Sequence, residues 1–253
     1  MPDPDSVPAL LASLPGWAFG LMLVLSRVGG VAMLMPGVGE AEVPMPVRAG
    51  AALLLTLLLL PGLLPGLPAA PANPFRLGLW LGGEVLCGLW LGWLARLPMQ
   101  ALSVAGQMAA GALGISNVLQ PDPTIGPQAS ALSRLFSLAA PVLLLGSGLY
   151  ALPLLGLARS YRALPPGTWL PPGDLAQSIL LAVGDSFALA LQLAGPFIVA
   201  GIVWQIVLGV LARQIPHLQV YFAALPAQIL GGLVLLALLS APMLQTWMAT
   251  VDH

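Results

Sequence analysis

Six long apolar stretches dominate this chain, at residues 9–39, 49–67, 77–97, 130–158, 176–212 and 220–247. Each approaches or exceeds the roughly 20 residues that carry a helix across a bilayer core. Twenty-six prolines and 29 glycines interrupt the chain. Proline removes a backbone donor and fixes φ, so a plain stack of straight spanning helices is not expected. The fold class expected is an all-α integral membrane protein, with about six main hydrophobic helices and a shorter central one.

Charge supports that expectation. Water-soluble domains carry about 25% charged residues, whereas here the figure is 7%, with hydrophobic residues at 58%. All eight basic residues are arginine, and the net charge of -1 leaves no basic field to hold nucleic acid. Cys87 is the single cysteine, so an intrachain disulfide is excluded. Residues 1–8 contain Asp3 and Asp5 and no basic residue, unlike the n-region of a secretory signal. The first apolar run is therefore expected to be retained.

The shorter helix is expected between the third and fourth runs, over residues 99–115. Pro98 would stand at its start, where a missing N–H is harmless. Ala101, Ala105, Ala109 and Ala112 lie on or near one face of it, a pattern that lets backbones approach closely. Proline-marked connectors are expected at 36–46, 61–74, 120–128 and 164–173. The last of these, LPPGTWLPPG, is the strongest internal boundary. It divides residues 1–165 from a C-terminal helical pair, 166–253, hinged near Pro216.

Ionised side chains within apolar runs face a partner or water rather than lipid. Arg27, Glu84 and Asp185 are the candidates, with Gln107 and Gln205 as uncharged polar contacts. A pair between Arg27 and Glu84, joining the first and third runs, is one reading; a place near a helix end or against a neighbouring subunit is the other. Asp185 follows Gly184 and is expected in the first turn of a helix, where the dipole favours a carboxylate. No histidine accompanies these acids inside a run, which argues against a proton relay. Metal-ligand spacings, HExxH, a nucleophile elbow and a phosphate-cradling loop are all missing from the sequence. No catalytic residue, metal site or cofactor is expected. Met22, Met33, Met35, Met45, Met99 and Met108 are dispersed through the first half, suited to general packing or to a soft seal.

Several blocks then combine. RVGGVAMLMPGVGEAEVPMPVRAG at 27–50 joins an arginine, a proline after an apolar turn, P-x-x-V-R and a small-residue helix. Glu84 with Gly88 and Gly92 follows. GQMAAGALGISNVLQPDPTIGPQ at 106–128 places Gln107, Gly111, Asp122, Pro123, Gly126 and Gln128 in order. LPPG at 164–167 and GVLARQIPHLQVYFAALPAQILGGL at 209–233 complete the set. In order and spacing this resembles the FliR/SctT export-gate family of flagellar and type III secretion systems over nearly the whole chain. Gln205, Gln219 and Gln228 stand near positions where that family commonly has an acid, an asparagine and a lysine.

The resemblance implies a non-enzymatic core subunit of a protein export gate in the bacterial inner membrane, within the flagellar basal body and partly on its periplasmic side. It implies bent hairpins in a right-handed helical assembly with FliP-like and FliQ-like subunits, forming a conduit for unfolded substrates. FlhB-like and FlhA-like export components and rod proteins are the further partners implied. Residues 1–165 would be FliP-like and 166–253 FliQ-like. Residues 111–120 would be a plug loop, with Met108, Gly111, Leu113, Gly114, Ile115, Val118 and Leu119 as gate residues. Small residues suit a segment that changes conformation, and apolar ones suit a dewetted seal. A virulence-type secretion subunit is the neighbouring alternative. A small-solute transporter would be expected to show an inverted repeat and a polar midplane site, and neither is visible.

Overall fold

The computed structural model describes residues 6–114, 130–168, 172–214 and 220–252. Seven α-helices account for nearly all of them: α1 Ser6–Leu34, α2 Met45–Leu63, α3 Pro74–Ala112, α4 Ala131–Ser147, α5 Ala151–Ala163, α6 Pro172–Gln214 and α7 Val220–Asp252. A single 3-10 turn, Leu64–Gly66, follows α2. Among the described residues, five spans are long and apolar enough to cross a membrane: Leu14–Leu34, Met45–Gly66, Pro74–Ala112, Leu175–Gln214 and Ala223–Val251. Counting α4 and α5 together as one broken span makes six. The chain is an all-α, multi-span membrane protein.

The prolines behave differently from the sequence expectation. Pro15, Pro61, Pro98, Pro141, Pro196, Pro226 and Pro242 all lie inside helices. Pro61 therefore does not open a connector; the chain leaves α2 after Leu63. Pro98 does not start a separate helix either. The third run and the expected central helix are one element, α3. A proline inside a helix removes the one N–H that would bond to the carbonyl four residues before it, a loss that apolar helices tolerate. Beside Pro98, Ser186 Oγ donates to Leu97 O at 2.8 Å and Trp247 Nε1 donates to Pro98 O at 2.8 Å.

Glycine and capping set the remaining boundaries. The first run ends its helix at Leu34, and Gly37 turns the chain with φ 85°. The 130–158 run is two helices. Ser130 caps α4 by accepting from Ser133 N at 3.1 Å, and Gly148 closes it in the left-handed region with φ 83°. The connector at 120–128 and the hinge at Pro216 lie outside the described residues.

Two compact units form. One comprises Met1–Arg96 and Tyr150–Leu180, the other Leu97–Leu149 and Leu181–His253. In the first, Val24, Val28, Val31 and Ala32 of α1, and Met35 just past it, pack with Ala52 and Leu60 of α2 and with Leu157 and Tyr161 of α5. Gly30 of α1 faces Gly88 of α3, and Gly92 faces Val31. The Gly88-x-x-x-Gly92 spacing lets the two backbones approach closely. A Cβ on Gly88 would land on the Arg27 carbonyl, and one on Gly92 would stand 2.8 Å from Val31 O.

The second unit is built on the small face of α3. Ala101, Leu102, Ala105 and Ala109 are fully buried, with Leu132, Phe136, Ala140 and Leu144 of α4. Leu189, Ala190, Leu193, Ala194 and Phe197 of α6 and Met243 and Trp247 of α7 complete this core. Outside it, α6 and α7 present large apolar residues such as Leu180, Ile206 and Leu238, each more than half exposed. Such surfaces suit lipid or partner chains.

Candidate functional site

In the first unit the structure brings Arg27 and Glu84 together. Arg27 Nε donates to Glu84 Oε2 at 2.6 Å, and both residues are 2% exposed. The rest of the guanidinium is also engaged. Nη1 donates to Ser160 Oγ at 3.2 Å and Nη2 to Leu164 O at 2.9 Å. Its carbon lies 4.4 Å from the centre of the Tyr161 ring, a cation–π distance. The second carboxylate oxygen, Glu84 Oε1, accepts from Gly167 N at 3.1 Å. Gly167 turns the LPPG segment with φ 81° and lies against Trp80.

One charge pair thus ties α1 and α3 to α5 and to the turn after it. Buried ions need each other and enough further hydrogen bonds to replace water. Here both carboxylate oxygens and three guanidinium nitrogens have partners, so the arrangement is a structural clasp. It leaves neither group available for proton transfer.

A second, more exposed pair holds the turn after α1. Arg96 Nη2 donates to Glu40 Oε2 at 2.9 Å and Nη1 to Gly39 O at 3.2 Å. From α2, Arg48 donates to the Val43 and Glu40 carbonyls.

The other candidate residues fall in the second unit, several near the end of α3. Met108 is half-buried against its core, Gly111 is exposed, and Leu113 is buried just past the helix. Gly114 has φ 69°. Gln107 Oε1 accepts from Ser130 N at 2.9 Å, beside the cap of α4. Gln205 is exposed on α6 and lines an open groove with Gly111, Ala112, Ile198 and Gly201. Ile115, Val118 and Leu119 lie outside the described residues.

Asp185 departs from expectation. It is exposed and well inside α6, not in a first turn. Gly184 does not break the helix, because one glycine costs only about 1 kcal/mol relative to alanine and the apolar flanks continue on both sides.

Sequence reasoning missed Ser160, Tyr161, Gly167 and Gln228 as contacts. The LPPG turn was the one available signal for Gly167, and nothing local marked its partner. Gln228 of α7 donates from Nε2 to Leu113 O at 2.8 Å.

Among the described residues, no group of three or more His, Cys, Asp or Glu is placed to hold a metal ion. Residues 18–253 match the family described as bacterial export proteins, family 1. The chain is 32% identical over 225 residues to the flagellar biosynthetic protein FliR of Caulobacter vibrioides, covering 89% of this chain and 90% of that protein. It is 26% identical over 217 residues to the FliR of Escherichia coli, covering 85% and 82% of the two chains. It is 28% identical over 232 residues to the secretion system apparatus protein SsaT of Salmonella typhimurium, covering 88% and 86%. The chain is a non-enzymatic membrane protein, and it belongs to the export-gate family shared by flagellar and type III secretion systems.

Proposed function

We propose that this chain is the FliR-type core subunit of a flagellar export gate in the bacterial inner membrane, at the flagellar basal body. It assembles with FliP-like and FliQ-like subunits in a right-handed helical complex and forms a conduit for unfolded substrates. FlhB-like and FlhA-like components and rod proteins are its further neighbours, and part of the assembly stands on the periplasmic side. The observation that carries this reading is the match to a flagellar FliR over about nine-tenths of both chains.

The exposed apolar faces of α6 and α7 fit a subunit whose surroundings are partner helices as well as lipid. Residues 1–165 correspond to the FliP-like part and 166–253 to the FliQ-like hairpin. That division is one of descent along the sequence, and it is separate from the two spatial units.

The matches to secretion-system proteins support a virulence-type role as the second reading. Deleting the gene in its own cell separates them. Loss of hook and filament with effector secretion intact supports the flagellar role. Intact flagella with lost effector secretion overturns it.

Within the gate, residues 111–120 act as the plug. Deleting them is expected to raise small-ion leakage through the assembled complex without preventing assembly, measured as conductance in planar bilayers. A deleted complex that assembles and stays as tight as the parent removes the plug from this segment.

A further inference from the structure

The last turn of α3 is gripped from two sides. Leu113 and Gly114 stand just past the helix end, and the final four carbonyls of any helix have no donor within it. In apolar surroundings an unpartnered carbonyl is costly. Leu113 O is supplied from another helix, by Gln228 Nε2 of α7 at 2.8 Å.

The packing around this bond leaves little freedom. Gly114 has φ 69°, the left-handed geometry of a helix C-cap. Its open side lies directly against the Gln228 carboxamide, so a Cβ there would collide with Nε2 and stand 3.2 Å from Cδ. The Leu113 side chain is 6% exposed and reaches Gly232 of α7. On the opposite side, the Ala112 carbonyl lies against Gly201 of α6, where a Cβ would sit 2.8 Å from the carbonyl carbon. Between these contacts lies an apolar cavity of about 130 Å³, lined by Ala112, Leu113, Gly201, Trp204, Gln228 and Gly232 among others. The cavity leaves room for the turn to rearrange. The hydrogen bond is the directional contact that selects one position.

We propose that Gln228 is a positioning residue of the gate: its carboxamide donor locks Leu113 and Gly114 in the closed arrangement. The proposal rests on the reading of these residues as part of the gate. The chemistry required at position 228 is a hydrogen-bond donor of sufficient reach, whatever its charge. Lysine would satisfy it. Leucine supplies no donor, and glutamate turns an acceptor towards an acceptor.

The test uses the complete gate with its partner subunits, purified and reconstituted in planar bilayers, with potassium conductance as the readout. Gln228→Leu and Gln228→Glu are expected to raise closed-state conductance roughly tenfold, the shift that loss of one buried hydrogen bond produces at the upper end of its usual strength. Gln228→Lys is expected to stay tight. Equal leakage from Gln228→Lys and Gln228→Leu would mean that shape, not the donor, matters, and would overturn the proposal. Where Gln228→Leu fails to assemble, Gly114→Ala approaches the same contact from the other side. A leak supports the lock, and a tight Gly114→Ala complex overturns it. Deletion of 111–120 separates the two levels. If the deletion leaks and Gln228→Leu does not, the lock falls and the plug stands. If the deletion itself stays tight, both fall.

Discussion

Glu84→Ala is expected to destabilise the first unit by about 3–5 kcal/mol, the cost of stranding one member of a buried ion pair. The guanidinium of Arg27 would keep only a hydroxyl, a carbonyl and the Tyr161 ring. The Gly167 N–H would lose its acceptor as well. A typical domain is stable by only 5–15 kcal/mol, so the variant should be recovered poorly from membranes. Yield of folded protein in detergent and the midpoint of its thermal unfolding measure the loss. Glu84→Gln keeps an acceptor for Gly167 but leaves the cation unneutralised, and should fall between parent and Glu84→Ala. The informative control removes both charges. Arg27→Met with Glu84→Leu should recover much of the lost stability, because paired apolar groups of similar volume often replace a buried pair without penalty. A double variant no better than Glu84→Ala would show that the contacts with Ser160 and Leu164, rather than the charge pair, hold the unit together.

Gly88→Ala carries the second large expectation, with a cost of about 1–3 kcal/mol or more from overpacking. The added methyl would fall on the Arg27 backbone carbonyl. Backbone cannot rotate away as a side chain can, and Arg27 is itself held by the clasp on its other end. Gly30→Ala meets the same crossing from α1, with Val85 O at 2.7 Å and Leu89 N at 2.9 Å from the new Cβ. Gly29→Ala is the internal control. Nothing lies within 4 Å of its Cβ position, and alanine is the better helix former by about 1 kcal/mol. Thermal midpoints should therefore drop for Gly88→Ala and Gly30→Ala and hold or rise for Gly29→Ala. A Gly29→Ala variant as unstable as the other two would remove the crossing as the cause.

The parts of the molecule that were legible in the sequence are those where one physical rule acts alone. Arg27 and Glu84 stood in apolar runs, and an ion in such a place needs a counter-ion. Helices α6 and α7 were visible as the long apolar runs 176–212 and 220–247. Legibility failed where two rules compete. Pro98 satisfies the statistics of a helix start, yet α3 runs on through it at the loss of one backbone hydrogen bond. Gly184 looks like punctuation before Asp185, yet α6 continues across both. Ser160 and Tyr161 gave no signal at all. Their partners are more than 130 residues away, and contact at that separation has no local pattern. Gln228 attracted notice for the charge it lacked and the hydrogen-bonding capacity it kept, while its partner Leu113 lies 115 residues away, just past α3.

The clasp has a consequence in time. Arg27 and Glu84 are both made early, but Ser160 and the Leu164 carbonyl follow Arg27 by 133 and 137 residues. At bacterial synthesis rates that gap lasts roughly 7–27 s. Arg27 waits through it with an incomplete hydrogen-bond shell, and for the first 57 residues without Glu84 as well. Completion of the clasp is thus a late event in synthesis, and a chain that stops short of Leu164 lacks it.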